Sequence, residues 1–180
     1  PMSHRTVALF CSLALLALPA AAAGADDDEA DFTRTGVYLE LGGQAMLPVY
    51  RHQSSGSASG GVTARAGWRA ATPFALELHY EWNEDVADHA VNLITVDGKV
   101  LVYTEGAIQP FVRVGIGAIF GHIDDRDGLT SSFVARFGVG TDYWLTDNVA
   151  ASVFGDFVLP MGHFHYLNTF SVGAAARYTF

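Results

Sequence analysis

Strict alternation between apolar and polar residues at the end of the sequence constrains this chain more than any other feature. From Thr169 to Phe180 the even positions are apolar or aromatic, and the odd positions are small or polar. Because side chains of a β-strand point to opposite faces with a period of two, this segment predicts a strand with one apolar face. The apolar face suits contact with lipid, and the other face suits a polar interior.

Seven further segments have strand-like patterns, so the sequence predicts eight strands. Their predicted bounds are 36–47, 60–70, 74–82, 89–103, 110–120, 132–144, 149–159 and 169–180. The segment 89–103 is the least regular, because Asp97-Gly98 inside it would also suit a hairpin turn. A turn there would leave two fragments too short to cross a membrane, so we expect one continuous strand.

The predicted connections alternate in length, with long loops after the first, third, fifth and seventh strands and short turns elsewhere. This alternation is typical of outer-membrane barrels, whose extracellular loops are long and whose periplasmic turns are short. Closing the sheet leaves no unpaired strand edge in lipid. We therefore expect an all-β fold, an eight-stranded antiparallel up-and-down transmembrane β-barrel over residues 36–180.

Composition is consistent with a membrane-facing exterior. Charged residues make up 16% of the chain, against about 25% in a soluble domain. No run of about 20 apolar residues follows the N-terminal region, so we expect no transmembrane helix in the mature protein. The net charge of −9 argues against nucleic acid as a partner, since such binding needs a basic surface.

Residues 1–25 are predicted to be a secretory signal peptide. A short basic start precedes the apolar core Val7 to Leu18, and Ala21 to Ala23 offer a small-residue cleavage site. The single cysteine, Cys11, lies within this core. We therefore expect a mature protein without disulfides or thiol chemistry.

Two acidic runs lie outside the predicted strands. Asp26 to Asp31 opens the segment 26–35, which is predicted to be a solvated, flexible lead-in to the barrel. Asp124 to Gly128 lies in a predicted loop and lacks the spaced carboxylates of a calcium loop. Neither run predicts a metal site.

Three segments resemble the small outer-membrane β-barrel proteins of the outer-membrane protein A, X and W type. Ile108 to Phe120 is similar to their proline-started, glycine-alternating strand, Phe137 to Asn148 to the next strand and its turn, and Thr169 to Phe180 to the closing strand. The resemblance covers Gly36 to Phe180. It implies a bacterial outer-membrane location, contact with outer-membrane lipid and lipopolysaccharide, and recognition of Phe180 by the barrel assembly machinery.

The resemblance leaves the activity open, because such barrels include anchors, adhesins, small transporters and a few lipid-modifying enzymes. We expect a non-enzymatic envelope protein with a structural or surface-interaction role and with a surface protein partner that binds through the extracellular loops. The alternatives are a small-solute channel and a lipid-modifying enzyme.

Charged residues assigned to the inner face balance in sign. The cations are Arg65, Arg69, Lys99, Arg113, Arg136 and Arg177, and the anions are Glu40, Glu77, Glu81, Asp97, Asp142 and Asp156. An eight-stranded barrel has room for little besides side chains, and buried charges need partners. We expect a paired network that closes the lumen, in which Glu40 and Glu77 are among the partners of Arg113 and Arg136. A gated conduit is the alternative.

Histidines are the main candidates for chemistry. They are His52, His79, His89, His122, His163 and His165. His163 with His165 supplies only two of the three or four ligands that a metal needs. His79, between Glu77 and Glu81 on the inner face, suits either a general base or a further member of the luminal network. We favour the network, and we expect no catalytic residue, metal or cofactor.

Aromatic residues near strand ends predict the interfacial girdles of a membrane barrel. They are Trp68, Tyr80, Trp82, Tyr143, Trp144 and Phe180. The rival fold is a soluble lipocalin-like barrel, which would place the charges on its outer wall and leave an apolar interior. Periodicity does not separate the two folds, but the signal sequence, the girdles and Phe180 favour the membrane barrel.

Overall fold

The computed structural model describes residues 32–49, 58–86, 89–122, 129–164 and 168–180, and they form a closed barrel. Its eight strands are β1 (Gly36–Pro48), β2 (Ser59–Ala71), β3 (Phe74–Val86), β4 (His89–Leu101), β5 (Ile108–His122), β6 (Leu129–Trp144), β7 (Val149–Pro160) and β8 (Thr169–Thr179). Each strand pairs antiparallel with the next, and β1 pairs with β8. The predicted fold class is confirmed.

Strand bounds differ from the prediction mainly where the strands run toward the long loops. β3 continues to Val86 rather than ending at Trp82, and β6 begins at Leu129 rather than Ser132. We call this end of the barrel the loop end and the opposite end, with its short connections, the turn end. Within the described ranges, no helix is long and apolar enough to cross a membrane.

β4 is continuous through Asp97-Gly98, as predicted. Asp97 lies opposite Glu77 of β3 and Gly115 of β5, and Gly98 continues both ladders. The strand ends at Leu101, two residues before the predicted end. A hairpin turn at Asp97-Gly98 is therefore excluded.

The two faces of the sheet differ in polarity. Large apolar residues cover the outside, for example Leu41, Leu78 and Ile116, with exposed fractions of 66%, 54% and 57%. Charged and polar side chains lie buried inside. This arrangement is the reverse of a soluble lipocalin-like barrel and excludes that fold.

Trp144 does not belong to the outer aromatic girdle, contrary to the prediction. Its exposed fraction is 4%, whereas those of Tyr143, Trp68 and Phe180 are 43%, 56% and 60%. Adjacent residues of a strand point to opposite faces, so Tyr143 and Trp144 cannot both face lipid. Trp144 therefore lies inside the turn end.

The interior also contains apolar layers that the predicted polar filling omitted. At the loop end, a cluster that we call the apolar cap consists of Met46, Val91, Leu93, Ile119, Val134, Val158 and Phe164. Phe164 belongs to a 3₁₀ turn, Gly162–Phe164, in the connection between β7 and β8. Its backbone N–H donates to Ser132 Oγ, and the Met161 N–H donates to the Phe133 carbonyl. These contacts attach the turn to β6, with Phe164 buried in the mouth.

The segment before β1 crosses the turn end. The Phe32 carbonyl accepts hydrogen bonds from Arg69 Nη1 at 3.0 Å and Gln109 Nε2 at 2.9 Å. The Phe32 ring packs beside Trp144, with 6.4 Å between ring centroids. The chain therefore approaches the barrel directly over its turn-end mouth.

Candidate functional site: the luminal charge network

The candidate site is the set of charged side chains inside the barrel. All thirteen residues assigned to it by sequence have exposed fractions of 5% or less: Glu40, Arg65, Arg69, Glu77, His79, Glu81, Asp97, Lys99, Arg113, Arg136, Asp142, Asp156 and Arg177. Each occupies an inward position on its strand. The structure divides them into three groups. The turn-side network consists of Glu40, Arg65, Glu77, Lys99, Arg113, Asp142, Asp156 and Arg177. The other groups are a loop-side cluster and Arg69 at the turn-end mouth.

Glu40 joins the first and last strands of the barrel. It lies directly opposite Arg65 of β2 and Arg177 of β8 in the two ladders. Its carboxylate forms an ion pair with Arg65 and accepts hydrogen bonds from Arg177, including one of 2.8 Å from Nη2. One buried carboxylate therefore bridges the place where the sheet closes.

Asp142 of β6 is the second shared anion of the turn-side network. Its Oδ2 lies 2.7 Å from Lys99 Nζ and 2.7 Å from Arg177 Nη1. Its Oδ1 accepts a 2.7 Å hydrogen bond from Ser152 Oγ. Two cations and a hydroxyl thus compensate the cost of burying this carboxylate.

Arg113 and Asp156 form the best-defined pair. Arg113 Nε and Nη2 donate to the two carboxylate oxygens at 2.8 Å and 2.7 Å, the fork geometry that makes arginine–carboxylate pairs strong. Arg113 also lies 3.6 Å from Glu77, and its guanidinium lies 4.9 Å from the centre of the Phe154 ring. The pair is therefore both hydrogen-bonded and packed against an aromatic face.

Glycine makes this pair possible. Arg113 on β5 lies opposite Gly138 on β6, and Gly138 lies opposite Asp156 on β7. A Cβ at residue 138 would lie 2.0 Å from Asp156 Oδ1 and 2.7 Å from Arg113 Nε. Arg113 thus crosses over a glycine to reach the strand after next.

The same arrangement recurs in β1–β3. Tyr38 lies over Gly67 and donates a hydrogen bond from its hydroxyl to Glu77. Gln44 crosses Gly61 to donate to Asn83 at 3.0 Å. Inward glycines therefore allow large polar side chains to lie along the wall and to connect strands that are not neighbours.

The loop-side cluster consists of His79, Glu81, Asp97 and Arg136. Arg136 forms an ion pair with Glu81 and lies 3.5 Å from Asp97. His79 Nε2 lies 3.3 Å from Glu81, and His79 Nδ1 lies 3.4 Å from Asp97. Thr63 Oγ1 is hydrogen-bonded to His79 Nε2. The imidazole is thus enclosed between two carboxylates beneath the apolar cap.

Arg69 is the remaining charged residue of the set. It donates to the carbonyl oxygens of Thr72 and Phe32 at the turn-end mouth.

The predicted pairing of Glu40 with Arg113 or Arg136 is wrong, because Glu40 contacts Arg65 and Arg177 on its two neighbouring strands. Direct ladder neighbours are closer to Glu40 than side chains across the bore.

Sequence reasoning missed the uncharged members of this site. Tyr38, Gln44, Thr63 and Ser152 hydrogen-bond to network residues, and Phe154 stacks with Arg65 at 4.1 Å. All share the inward parity of the charged residues. The odd or even position of a residue along its strand therefore indicates which face it occupies. Counting only charged residues overlooks the uncharged residues on the same face.

Several sequence candidates cannot be placed. Residues 1–31, with the predicted signal peptide and the acidic run, lie outside the described residues, as do His52, His165 and Asp124–Gly128. The side chains of His89, His122 and His163 are also outside the described part. Of the candidate histidines, His79 alone has a described side chain.

The fold and the charge-filled interior define the class of small transmembrane β-barrels. The chain belongs to the Outer membrane protein beta-barrel domain family, whose sequence pattern matches residues 8–158. It is a bacterial outer-membrane protein. A comparison with curated protein sequences found no match.

Solved structures with the same fold come from several bacteria. Neisserial surface protein A has a TM-score of 0.70 and 14% identity, covering 81% of this chain and 97% of that one. The N-terminal barrel domain of Pseudomonas aeruginosa OprF has a TM-score of 0.60 and 19% identity, covering 82% and 100%. Ail of Yersinia pestis, with a TM-score of 0.55 and 9% identity, covers 82% and 100%. These identities support a common fold only.

Proposed function

We propose that this chain is a non-enzymatic outer-membrane barrel with a lumen closed to solutes, which acts through its loops as an envelope or surface-interaction protein. The filled interior is the observation that carries this proposal. An eight-stranded barrel has room for little more than its own inward side chains. Here those side chains are large, and they include a mutually paired set of charges.

Two different barriers oppose passage through the bore. Ion pairs of the turn-side network span the bore. Breaking a buried pair by removing one partner costs about 3–5 kcal/mol. Above the charges lies the apolar cap, in which Val134, Phe164 and Val158 have exposed fractions of 0%, 1% and 2%. An ion would have to separate charged pairs and also cross an apolar layer.

The enzymatic alternative has little support in the geometry of His79. The imidazole has an exposed fraction of 0%, and its Nε2 already contacts Thr63, Glu81 and Arg136. A general base must come within hydrogen-bond reach of its substrate. Mass spectrometry of lipid A with and without the protein tests this point, and an acyl change that disappears in His79→Ala would overturn the proposal.

Charge at the loop end indicates the kind of partner. In the sequence of the four loop-end connections and adjoining strand ends, six acidic residues accompany two arginines, Arg51 and Arg126; the acidic residues are Glu84, Asp85, Asp88, Asp124, Asp125 and Asp127. One solved structure of Ail contains the heparin analogue sucrose octasulfate. An acidic surface repels such polyanions and favours basic partners.

A bead assay separates these partners. The refolded barrel should bind polylysine beads more strongly than heparin beads, and the difference should decrease at high salt because the Debye length falls to about 3 Å at 1 M. Neutralising Asp124, Asp125 and Asp127 to asparagine should reduce capture by polylysine. Preferential capture by heparin would contradict the proposed partner class.

Two envelope partners belong to the same proposal. The apolar outer face would contact outer-membrane lipid and lipopolysaccharide. Phe180, which is 60% exposed and packs edge-on against Tyr178 at 5.1 Å, would be the residue that the barrel assembly machinery recognises. Phe180→Ala should slow appearance of the heat-modifiable, folded band in cells, whereas refolding of the purified variant in detergent should be little changed.

Conductance in planar bilayers is the direct test of the closed lumen. The unmodified protein should give no steady current, with at most brief openings if an ion pair exchanges partners. A steady, ion-selective current would contradict the closed lumen. The small-solute channel would then be the favoured function.

A further inference from the structure

His79 and Asp97 form a buried pair on the loop side of the lumen. Both have an exposed fraction of 0%, and His79 Nδ1 lies 3.4 Å from Asp97 Oδ2. Arg136 Nη1 lies 3.5 Å from the same oxygen. Both distances exceed the roughly 2.7–3.2 Å of a hydrogen bond between nitrogen and oxygen, and neither oxygen of Asp97 accepts a hydrogen bond of ordinary geometry from a described residue. Asp97 is therefore a poorly compensated buried carboxylate.

Glu81, on the other side of the imidazole, has partners of its own. Its carboxylate forms an ion pair with Arg136 and accepts a 2.9 Å hydrogen bond from Gln44 Nε2. His79 Nε2 lies 3.3 Å from both Glu81 and Arg136. Because Arg136 is committed mainly to Glu81, the charge of Asp97 remains to be balanced by His79.

Charged groups from several strands surround this pair. They are Arg65 of β2, Glu77 and Glu81 of β3, Lys99 of β4, Arg113 of β5, Arg136 of β6 and Asp156 of β7. All except Glu81 and Arg136 belong to the turn-side network, which contains four carboxylates and four basic side chains and so balances internally. Arg65 lies directly opposite His79 in the ladder, but it is already paired with Glu40.

The loop-side cluster does not balance in the same way. It contains two carboxylates and one guanidinium, that of Arg136. Arg69 is directed to carbonyl oxygens at the turn-end mouth and is not part of the cluster. With His79 neutral and Asp97 ionised, the cluster would bury one uncompensated negative charge, which costs far more than burying a neutral polar group. One added proton would remove that charge.

We propose that the buried His79–Asp97 pair is a proton-binding site, which holds one proton more than the same two side chains hold in the unfolded chain above about pH 6.5. The added proton makes the loop-side cluster neutral whether it lies on the imidazole or on the carboxyl group. The apolar cap on one side and the turn-side ion pairs on the other separate this proton from bulk water.

A proton bound in this way makes the stability of the barrel depend on pH. In the unfolded chain above about pH 6.5, histidine is neutral and aspartate is ionised. Because the folded state then binds one proton more, the folding equilibrium constant falls as the pH rises, by up to about tenfold per pH unit. The stabilising contribution is complete below about pH 6.5 and is lost as the pH rises through the range in which the folded pair releases its proton.

Urea titrations at pH 7 and pH 9, with the barrel refolded into lipid vesicles, measure this dependence between the ordinary titration ranges of histidine and tyrosine. The folding equilibrium constant of the unmodified protein should be lower at pH 9 by about tenfold or more. Asp97→Asn keeps the shape of the side chain but removes its charge, so the cluster balances without an added proton and most of the fall should disappear. The control is Asp147→Asn in the exposed turn between β6 and β7, which should keep the full fall.

NMR locates the proton without unfolding the protein. In detergent micelles at pH 8, nitrogen shifts report the protonation of the His79 ring, and carbon shifts report that of the Asp97 carboxyl group. One of the two groups should carry the added proton, whereas an exposed histidine is neutral and an exposed aspartate is ionised at this pH. Backbone-linked assignment identifies both signals in the unmodified protein, so this measurement needs no variant.

Two results would overturn the proposal. A neutral His79 ring together with an ionised Asp97 at pH 8 would show that the pair binds no added proton. An equal fall in stability between pH 7 and pH 9 in Asp97→Asn would show that other groups cause the pH dependence. Heat-modifiable mobility on gels shows that each variant is folded.

Discussion

Replacing Arg113 with alanine removes the centre of the turn-side network. After the substitution, the fully buried Asp156 keeps one ion-pair partner, Arg65, at 3.8 Å. Glu77 keeps Lys99, also at 3.8 Å. Removing one partner of a buried ion pair costs about 3–5 kcal/mol. At about 1.4 kcal/mol per tenfold change, the folding equilibrium constant should fall by roughly a hundredfold to a few thousandfold.

Urea unfolding of the barrel, refolded into lipid vesicles, measures this loss. The unfolding is monitored by the disappearance of the heat-modifiable band on gels. Asp156→Ala and the double variant complete a mutant cycle, and we expect a coupling energy of about 2 kcal/mol, within the range for residues in one network. Arg113→Lys keeps the charge but loses the fork, so it should lie between the unmodified protein and Arg113→Ala. Planar-bilayer recordings of Arg113→Ala should also show more frequent openings.

The reasoning fails if Arg113→Ala unfolds at the same urea concentration as the unmodified protein. It also fails if the two single losses simply add in the double variant, since residues without coupling behave additively. The first result would mean that Arg113 adds no net stability, and the second that Arg113 and Asp156 contribute independently of each other.

Three further substitutions test the two faces and the loop-end mouth. Gly138→Ala should cost about 1–3 kcal/mol, the usual range for overpacking, because a Cβ there would meet the Arg113–Asp156 pair. The control is Gly98→Ala, whose Cβ would have its nearest neighbouring atom at 3.9 Å. This control should be nearly neutral in the same urea titration. Phe164→Ala should open the apolar cap and speed labelling of a cysteine at Val134→Cys by a membrane-impermeant maleimide; unchanged labelling would show that Phe164 does not seal the mouth. Leu78→Arg, on the lipid face, should destabilise by up to about 2–4 kcal/mol depending on its depth, and a neutral result would argue against lipid contact at that position.

The architecture could be predicted because each strand carries its own information. Alternation with a period of two assigned faces, and short turns such as Thr72-Pro73 fixed the order of neighbours. Trp144 shows the limit of reading one residue type at a time, since aromatic character suggested the girdle while its parity relative to Tyr143 required the interior. The apolar cap was missed for the same reason, because Val91 and Leu93 share the parity of Thr95 and Asp97 but not their polarity.

Pairing within the lumen was less predictable than membership of it. Which inward charges meet depends on strand register and on where a glycine allows a side chain to cross the wall. Neither the Arg113–Gly138–Asp156 crossing nor the position of Glu40 between Arg65 and Arg177 follows from the residue types alone. These contacts join residues distant in sequence, and register is set by the whole closed sheet.

Glu40 has a consequence for how the barrel selects its final register. The closing step pairs β1 with β8, and Glu40 lies opposite Arg177 only in the observed alignment. A slip by one residue would turn every side chain of β8 to the other face and expose Arg177 to lipid. A slip by two residues would keep the faces but place Ala175 or Thr179 opposite Glu40, leaving its carboxylate with one arginine fewer. Glu40, at the junction of β1 and β8, therefore stabilises the finished barrel. It also makes misaligned pairings of the first and last strands less stable than the observed one.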